Sequence, residues 1–244
     1  LLPTSCEAPL KVILTIQTKK LGSNMFKYVF ARKIWMKALN LSESMQLAEK
    51  YGIPFAKRET VKTEQELEGA CARTGFPVAM KVISEKIIHK TEVGGVEIGL
   101  KGLEPAKAAF SRMSALEGFE GVVVQQMING TEIIIGGKRD VQFGPTILVG
   151  LGGIFVEVFK DYSIGICPVN SRTAKEMLES LRAYKLIKGY RHKEGVNLKK
   201  LEAMILKASR LMMREKAVQE LDINPLIGNS KEILAVDARI ILNE

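Results

Sequence analysis

The chain's 244 residues, 46% hydrophobic and 26% charged, suffice for one large domain or two modest ones with cores of their own, and that apolar fraction excludes a disordered chain. With 21 Gly and three widely spaced cysteines (Cys6, Cys71 and Cys167), collagen-like and disulfide-stapled classes are excluded and a reducing cytoplasm is expected. The formal charge of +9 suits nucleic acid, membrane surfaces or phosphate-bearing small molecules, but dispersed cations and 6% aromatics make nucleic acid the weaker partner.

Residues 1 to about 40 stand apart, and no role is legible in them. Leu10 to Ile16 (LKVILTI) reads as a short strand, and Phe26 to Leu39 mixes basic and apolar residues. That apolar run is too short for a signal peptide, and no small-residue cleavage site follows it. The longest apolar stretch, Pro145 to Phe159, is broken by glycines and Glu157, so no segment reads as a transmembrane helix and no membrane partner is expected.

From Ser42 the punctuation becomes regular. Ser42 to Tyr51 has helical spacing and stops at Gly52, before Ile53-Pro54. Thr63 to Thr74 opens on a capping box, Thr63 with Glu66, and stops at Gly75, before Phe76-Pro77. Each helix feeds a predicted strand, Pro54 to Lys57 and Val78 to Ile83. A polar loop (Ser84 to Gly95), a strand (Val96 to Leu100), a helix (Pro105 to Leu116) and a buried-looking strand (Gly121 to Met127) follow. Glu132 to Gly136 is predicted as a strand and Gly136-Gly137-Lys138-Arg139-Asp140 as a hairpin turn. Phe143 to Phe159 reads as strand and Gly-rich loop, and Thr173 to Ala183 as a helix with a second capping box, Thr173 with Glu176. Asn197 to Gln219 is the longest amphipathic helix, with Leu201, Met204, Ile205, Ala208, Leu211 and Met212 on its apolar face. Two strands close the chain, Glu220 to Ile227 and Ile233 to Ile241, joined by Gly228-Asn229-Ser230. The alternation of helix and strand gives an α+β (α/β) class, and a shift near Met127 marks a lobe boundary. Three segments result: 1–40, 41–126 and 127–244.

Three constellations carry chemistry. In ELDINP, strand alternation puts Glu220, Asp222 and Asn224 on one face, and in AVDAR it puts Asp237 and Arg239 on one face. A hairpin gathers these oxygens into a set suited to a hard cation such as magnesium; the alternative is a solvated face with a Glu220–Arg239 cross-strand pair. Lys81 lies in the apolar strand PVAMKVI, where it either reaches a phosphate or snorkels to water from the sheet edge. The loop Ile88 to Val96 (IHKTEVGGV) joins His89, Lys90, Gly94 and Gly95. Its glycines let backbone N–H groups approach a phosphate, Lys90 adds charge and His89 offers a ring nitrogen to a phosphoryl group; the alternative is a polar surface loop. Gly150-Leu151-Gly152-Gly153 lacks the last glycine of a dinucleotide fingerprint, and Gly136-Gly137-Lys138 is no P-loop, since Arg139 stands where Ser or Thr is required.

The order of these motifs is more specific than any one of them. Lys81 in its strand, then HKTEVGGV, VVVQQM, GTEIIIG, RDVQFGP, GLGGIFVE, ELDINPL and AVDARI, over residues 42 to 242, resembles the ATP-grasp β subunit of NDP-forming acyl-CoA synthetases. The resemblance is strongest to the archaeal ADP-forming acetate–CoA ligases (acetyl-CoA synthetases) and more distant to succinyl-CoA synthetase β subunits. It implies an ATP-grasp fold, in which a small lobe (41–126) and a large lobe (127–244) clamp ADP or ATP with Mg2+. By position Lys81 resembles the phosphate-contacting lysine, Gln125 and Met127 the hinge that reads adenine, and Glu132 the acidic residue near ribose and phosphates. Asn224 and Asp237 match the magnesium ligands, with Asp222 on the face of Asn224. His89 resembles the loop histidine of the acetate-type branch, proposed there to shuttle phosphate, where the succinyl type has glycine. The resemblance also implies a separate CoA-binding α subunit in an α2β2 heterotetramer, since this chain has no CoA-binding motif. A succinyl-type subunit and a grasp module without catalysis are the rival readings.

Overall fold

A computed structural model describes residues 36–84, 86–87, 92–153, 158–191 and 193–243. The predicted strand at Leu10–Ile16, Cys6, His89, Lys90, Glu157 and His192 lie outside the described residues. Among those described, no helix is long and apolar enough to cross a membrane.

The smaller of two sheets has four antiparallel strands in the order β2-β5-β3-β4: β2 (Arg58–Val61), β3 (Val78–Ile83), β4 (Val96–Leu100) and β5 (Gly121–Gln126). Alternation sorts its faces. Val78, Met80, Val122 and Val124 point into a core closed by helices α2 (Glu64–Thr74) and α3 (Leu103–Ser114), through Leu67, Ala106 and Phe110. Helix α2 starts as predicted, with the Glu66 carboxylate accepting from the backbone N–H groups of Lys62 and Thr63.

The larger sheet runs β1-β13-β11-β6-β7-β8, with β12 also paired to β11. Its strands are β1 (Met36–Ala38), β6 (Thr131–Asp140), β7 (Gly144–Leu151), β8 (Tyr162–Ile166), β11 (Val218–Gly228), β12 (Ile233–Ala235) and β13 (Arg239–Asn243). The long helix α6 (Leu198–Arg214) buries Leu201, Met204, Ile205, Ala208, Leu211 and Met212 against it, the face read from the sequence. Helix α4 (Ser171–Glu179) packs beside α6, and a short helix α5 (Tyr184–Lys188) leads to the hairpin β9 (Gly189–Tyr190) and β10 (Lys193–Glu194).

Several predicted elements differ, each for a local reason. The glycine pair at 136–137 is not a turn: β6 runs on to Asp140, and the chain reverses over 141–143, where the Asp140 carboxylate accepts from the N–H groups of Gln142 and Phe143. A Cβ on Gly137 would stand 2.9 Å from the Met212 side chain, so this glycine lets α6 lie close to the strand. Arg139 then closes the end of α6, donating to the carbonyls of Met212 and Glu215, so the helix stops at Arg214 and not at Gln219. Helix α4 starts at Ser171 under Asn170, whose side chain accepts from Thr173 N–H, while Glu176 pairs with Arg172. Thr173 with Glu176 is therefore not a capping box. Pro54–Lys57 forms no strand of its own; Pro54 and Ala56 bond the backbone of Ala235 in the larger sheet. Strand β8 escapes the sequence reading because it is short and interrupted by Gly165. The last predicted strand is two, β12 and β13, because residues 236–238 leave the ladder.

The cores also divide the chain differently from the split at residues 40 and 126. Strand β1 pairs with β13, Asn40 caps helix α1 (Leu41–Lys50), and Ala48 and Ile53 lie in the larger core.

Candidate functional site

A cleft of about 1210 Å³ lies between the two sheets. One wall is a row across the small sheet. Thr60 faces Val123, Val123 faces Lys81 and Lys81 faces Val96, four residues on four strands, all lining the cleft. Lys81 therefore sits mid-sheet and not at an edge. Its side chain is only 12% exposed, and its ammonium is 3.4 Å from the Asp237 carboxylate and 3.5 Å from the Val236 carbonyl. Both contacts are long, so the ammonium keeps hydrogen-bonding capacity for a third partner.

The facing wall comes from interruptions in the large sheet. The β6–β11 register shifts between Ile223 and Leu226, around Asn224-Pro225, and proline has no N–H to give the ladder. Opposite it, residues 236–238 bulge out, and Val236 N–H donates to the Pro225 carbonyl at 3.0 Å. Asp222, Asn224, Asp237, Ala238 and Arg239 thereby line one side of the cleft. Burial pushes the Asp222 carboxyl above its usual range, helped by the negative charges of Asp237 and Glu220 and opposed by Arg239. One Asp237 oxygen accepts from Ala238 N–H at 2.8 Å while the other faces Lys81.

Gln125 is 1% exposed and joins the walls: its amide donates to the Val236 carbonyl at 3.0 Å, the same oxygen that Lys81 approaches. Because a carbonyl only accepts, this bond fixes the amide orientation, and Oε1 has no partner among the described residues.

Of the residues singled out in the sequence, Lys81, Asp222, Asn224 and Asp237 thus share the cleft, and Gln125 is tied to them through Val236. Met127 follows β5 with its sulfur accepting from Gly99 N–H, and Glu132 lies in β6 beside Gly152 and Gly153; neither lines the cleft. Gly94 has a φ of +71°, which favours glycine, and the Gly95 carbonyl accepts from Val82 N–H in the turn before β4. The Glu220–Arg239 pair of the alternative reading is absent, since Arg239 stands opposite Asp222 and Glu220 pairs with Lys138 at 3.7 Å.

Other lining residues were not anticipated: Arg58 and Thr60 on β2, Glu92, Glu120, and residues 38–42 of the β1–α1 connection. The alternation of Arg58 and Thr60 is legible only once β2 is placed at 58–61.

The donor set is chemically specific. Asp222, Asn224 and Asp237 each offer oxygen to a metal, and no group of three or more His, Cys, Asp or Glu that would cage a metal unaided occurs among the described residues. Magnesium fits such a set, because it takes one or two carboxylates and completes its shell with phosphate oxygens and water. A cation between Asp222 and Asp237 would also offset the Asp237 charge, which adds to burial in raising the Asp222 carboxyl.

An ATP-grasp domain profile matches residues 31–242, starting ahead of the resemblance seen from residue 42. Among curated proteins the chain is 37% identical over 208 residues to the β subunit of ADP-forming acetate–CoA ligase I of Pyrococcus furiosus, covering 82% of this chain and 90% of that one. It is 39% identical over 203 residues to ADP-forming acetate–CoA ligase II of Archaeoglobus fulgidus, covering 83% of this chain but 30% of that protein. The chain thus spans most of a separate β subunit and under a third of a longer relative. Among solved structures, acetyl-coenzyme A synthetase 1 of Ca. Korarchaeum cryptofilum, in complex with coenzyme A and Ca-AMPCP, superposes with a TM-score of 0.79 at 36% identity, covering 84% of this chain and 93% of that one. A second structure of that synthetase, with coenzyme A and Mg-AMPPCP and its phosphohistidine segment pointing towards the nucleotide site, gives a TM-score of 0.76 with the same coverage.

Proposed function

The chain belongs to the ATP-grasp family, and from that premise we propose that it is the nucleotide-binding subunit of an ADP-forming acyl-CoA ligase of the acetate–CoA type. The net reaction converts acyl-CoA, phosphate and ADP into the free acid, CoA and ATP. The observation that carries this reading is the convergence of one partly buried lysine and three oxygen-donor side chains, brought by two different sheets, on one cleft.

Lys81 holds the phosphates of ADP, and Asp222, Asn224 and Asp237 hold Mg2+, which when bound supplies charge neutralisation at the phosphate oxygens. By the family resemblance Gln125 and Met127 are assigned to the base and Glu132 to the ribose and phosphates, although Met127 and Glu132 do not line the cleft. Gly94 and Gly95 present backbone N–H groups to the phosphates, and Lys90 adds charge. His89 receives a phosphoryl group from the partner and gives it to ADP: the N–P bond breaks, the ring nitrogen keeps the electron pair, and a β-phosphate oxygen of ADP forms the new O–P bond. Such a transfer needs alignment and charge neutralisation more than a strong base.

The phosphoryl donor is a CoA-binding α subunit, assembled with this chain as an α2β2 heterotetramer in the cytoplasm. The β-subunit naming of the Pyrococcus relative supports a separate partner. In the complex with that subunit, His89→Ala is expected to abolish acyl-CoA-driven ATP formation while leaving ADP affinity nearly unchanged. Wild-type turnover in the variant would remove His89 from the pathway.

A further inference from the structure

Strand β8 ends the larger sheet, and no described strand pairs with its outer side. Its bonding phase is fixed by Cys167 N–H, which donates to the Pro145 carbonyl at 2.9 Å. Along the same antiparallel ladder, Gly165 and Ser163 therefore exchange their backbone bonds with Ile147 and Val149 of β7. The N–H and C=O groups of Tyr162, Ile164 and Ile166 point away from the sheet. The same three residues carry the exposed side chains, at 44%, 59% and 55%. The strand holds no charged residue and no proline. The other described edges are blunted. Strand β1 is three residues long and includes Lys37, and β2 holds Arg58 and Glu59 in ion pairs. Strand β4 pairs Glu97 with Arg112 and gives its Gly99 N–H to the Met127 sulfur.

We propose that a second copy of this chain docks on β8, strand against strand and antiparallel, about a two-fold axis through Ile164. The strand is complementary to itself in that arrangement. Ile164 faces Ile164 of the copy, Tyr162 faces its Ile166, and each facing pair exchanges two backbone hydrogen bonds through the outward groups. Two chains of formal charge +9 repel, and an uncharged edge lets them meet without setting like charges opposite each other. Beyond the strand, Asp161 and Lys160 fall opposite Cys167 and Pro168 of the copy, and the Asp161 carboxylate is turned inward, accepting from the N–H groups of Arg182 and Ala183. A standard interface buries about 800 Å² per partner, more than five strand residues provide. Exposed apolar residues continue the strip at both ends, Phe143 in the turn before β7 and Val158 ahead of β8, and the two-fold axis sets one end against the other. Strands β6 and β7 separate β8 from β11, so the pairing leaves the cleft open and does not depend on what the cleft binds.

The test is sedimentation velocity of the full chain at micromolar concentration, wild type beside Ile164→Lys. The wild type is expected to sediment as a dimer. Ile164→Lys, which sets two ammonium groups together on the axis, is expected to weaken that dimer by at least about 100-fold. Ile164→Cys should form a disulfide between copies on mild oxidation, because facing residues of a bonded pair stand about 5.5 Å apart at Cα. Ser163→Cys, on the other face of the strand, should not, and the wild-type chain controls for its own cysteines. The disulfide carries the test if thermal melting shows the lysine variant unfolded. A dimer that survives Ile164→Lys and gives no Ile164→Cys crosslink would overturn the proposal, as would a monomeric wild type. A monomeric wild type whose Ile164→Lys variant no longer binds the CoA-binding subunit would give the edge to that subunit instead.

Discussion

The two walls of the cleft do different work with the same backbone pattern. On the small sheet the β2–β5 and β5–β3 ladders run without a break, and ordinary alternation sets Lys81 in a row with Thr60, Val123 and Val96. On the large sheet every oxygen donor lies at or next to a break, the bulge at Asn224-Pro225 or the excursion at 236–238. The difference is geometric. Along a regular strand, same-face neighbours stand about 7 Å apart, which suits a single cation fixed in place. Ligands of one magnesium ion must approach to about 2.1 Å of it and cannot be supplied by consecutive positions of a flat pleat. Two adjacent strands are interrupted at the same level, the interruptions are tied together through Val236 and Pro225, and all three donors line the one cleft.

If the walls are separately built, they should fail separately. The largest effect is expected from Met80→Ala, which empties a fully buried position behind the regular wall; thermal or urea unfolding should show a loss of about 2–5 kcal/mol. A loss below about 1 kcal/mol would mean that the small core does not support the lysine row. Next, Lys81→Met should weaken ADP by about 10- to 100-fold, whether or not magnesium is present, because its contribution is direct. A loss confined to magnesium-containing solutions would place Lys81 in the metal's service instead.

The smallest effect lies away from both walls and tests the large core alone. The Tyr51 hydroxyl, 2.7 Å away, and then Lys50 hold the Glu215 carboxyl below the usual carboxylate range. A depressed carboxyl pKa stabilises the fold above the unfolded-state value and loses that contribution as pH falls through the folded-state value. Tyr51→Phe should therefore cost about 1 kcal/mol at neutral pH, with the gap to wild type closing on acidification. A gap that stays constant in urea titrations across the acid range would rule out the hydroxyl–carboxylate bond as its source.

The regular wall was legible in its strand β3 but not in β2, which lies at Arg58–Val61 and not at the predicted 54–57. Val78, Met80 and Val82 alternate so clearly that β3 falls where the sequence predicts it, and a lone lysine in that run stands out. The irregular wall left its residue types in view but not its geometry. The run ILAVDARII keeps an apolar pattern through the break at 236–238, so nothing local announces that Asp237 leaves the ladder or that Arg239 stands opposite Asp222. Gly136-Gly137 failed for a related reason. A glycine pair marks a tight turn or a close approach, and only the position of Met212, 75 residues away, decides for the second. The inclusion of α1 in the larger core likewise depends on pairing with strands near the far end of the chain.

We propose that the breaks in the large sheet build a metal site while the small sheet holds phosphate directly. Calorimetric titration of ADP into the wild-type chain and into Asp237→Ala, each with and without magnesium, tests it most directly. The account predicts wild-type binding that tightens when magnesium is added, and an Asp237→Ala chain whose weaker binding no longer responds to the metal. Equal magnesium dependence in the two chains would contradict it.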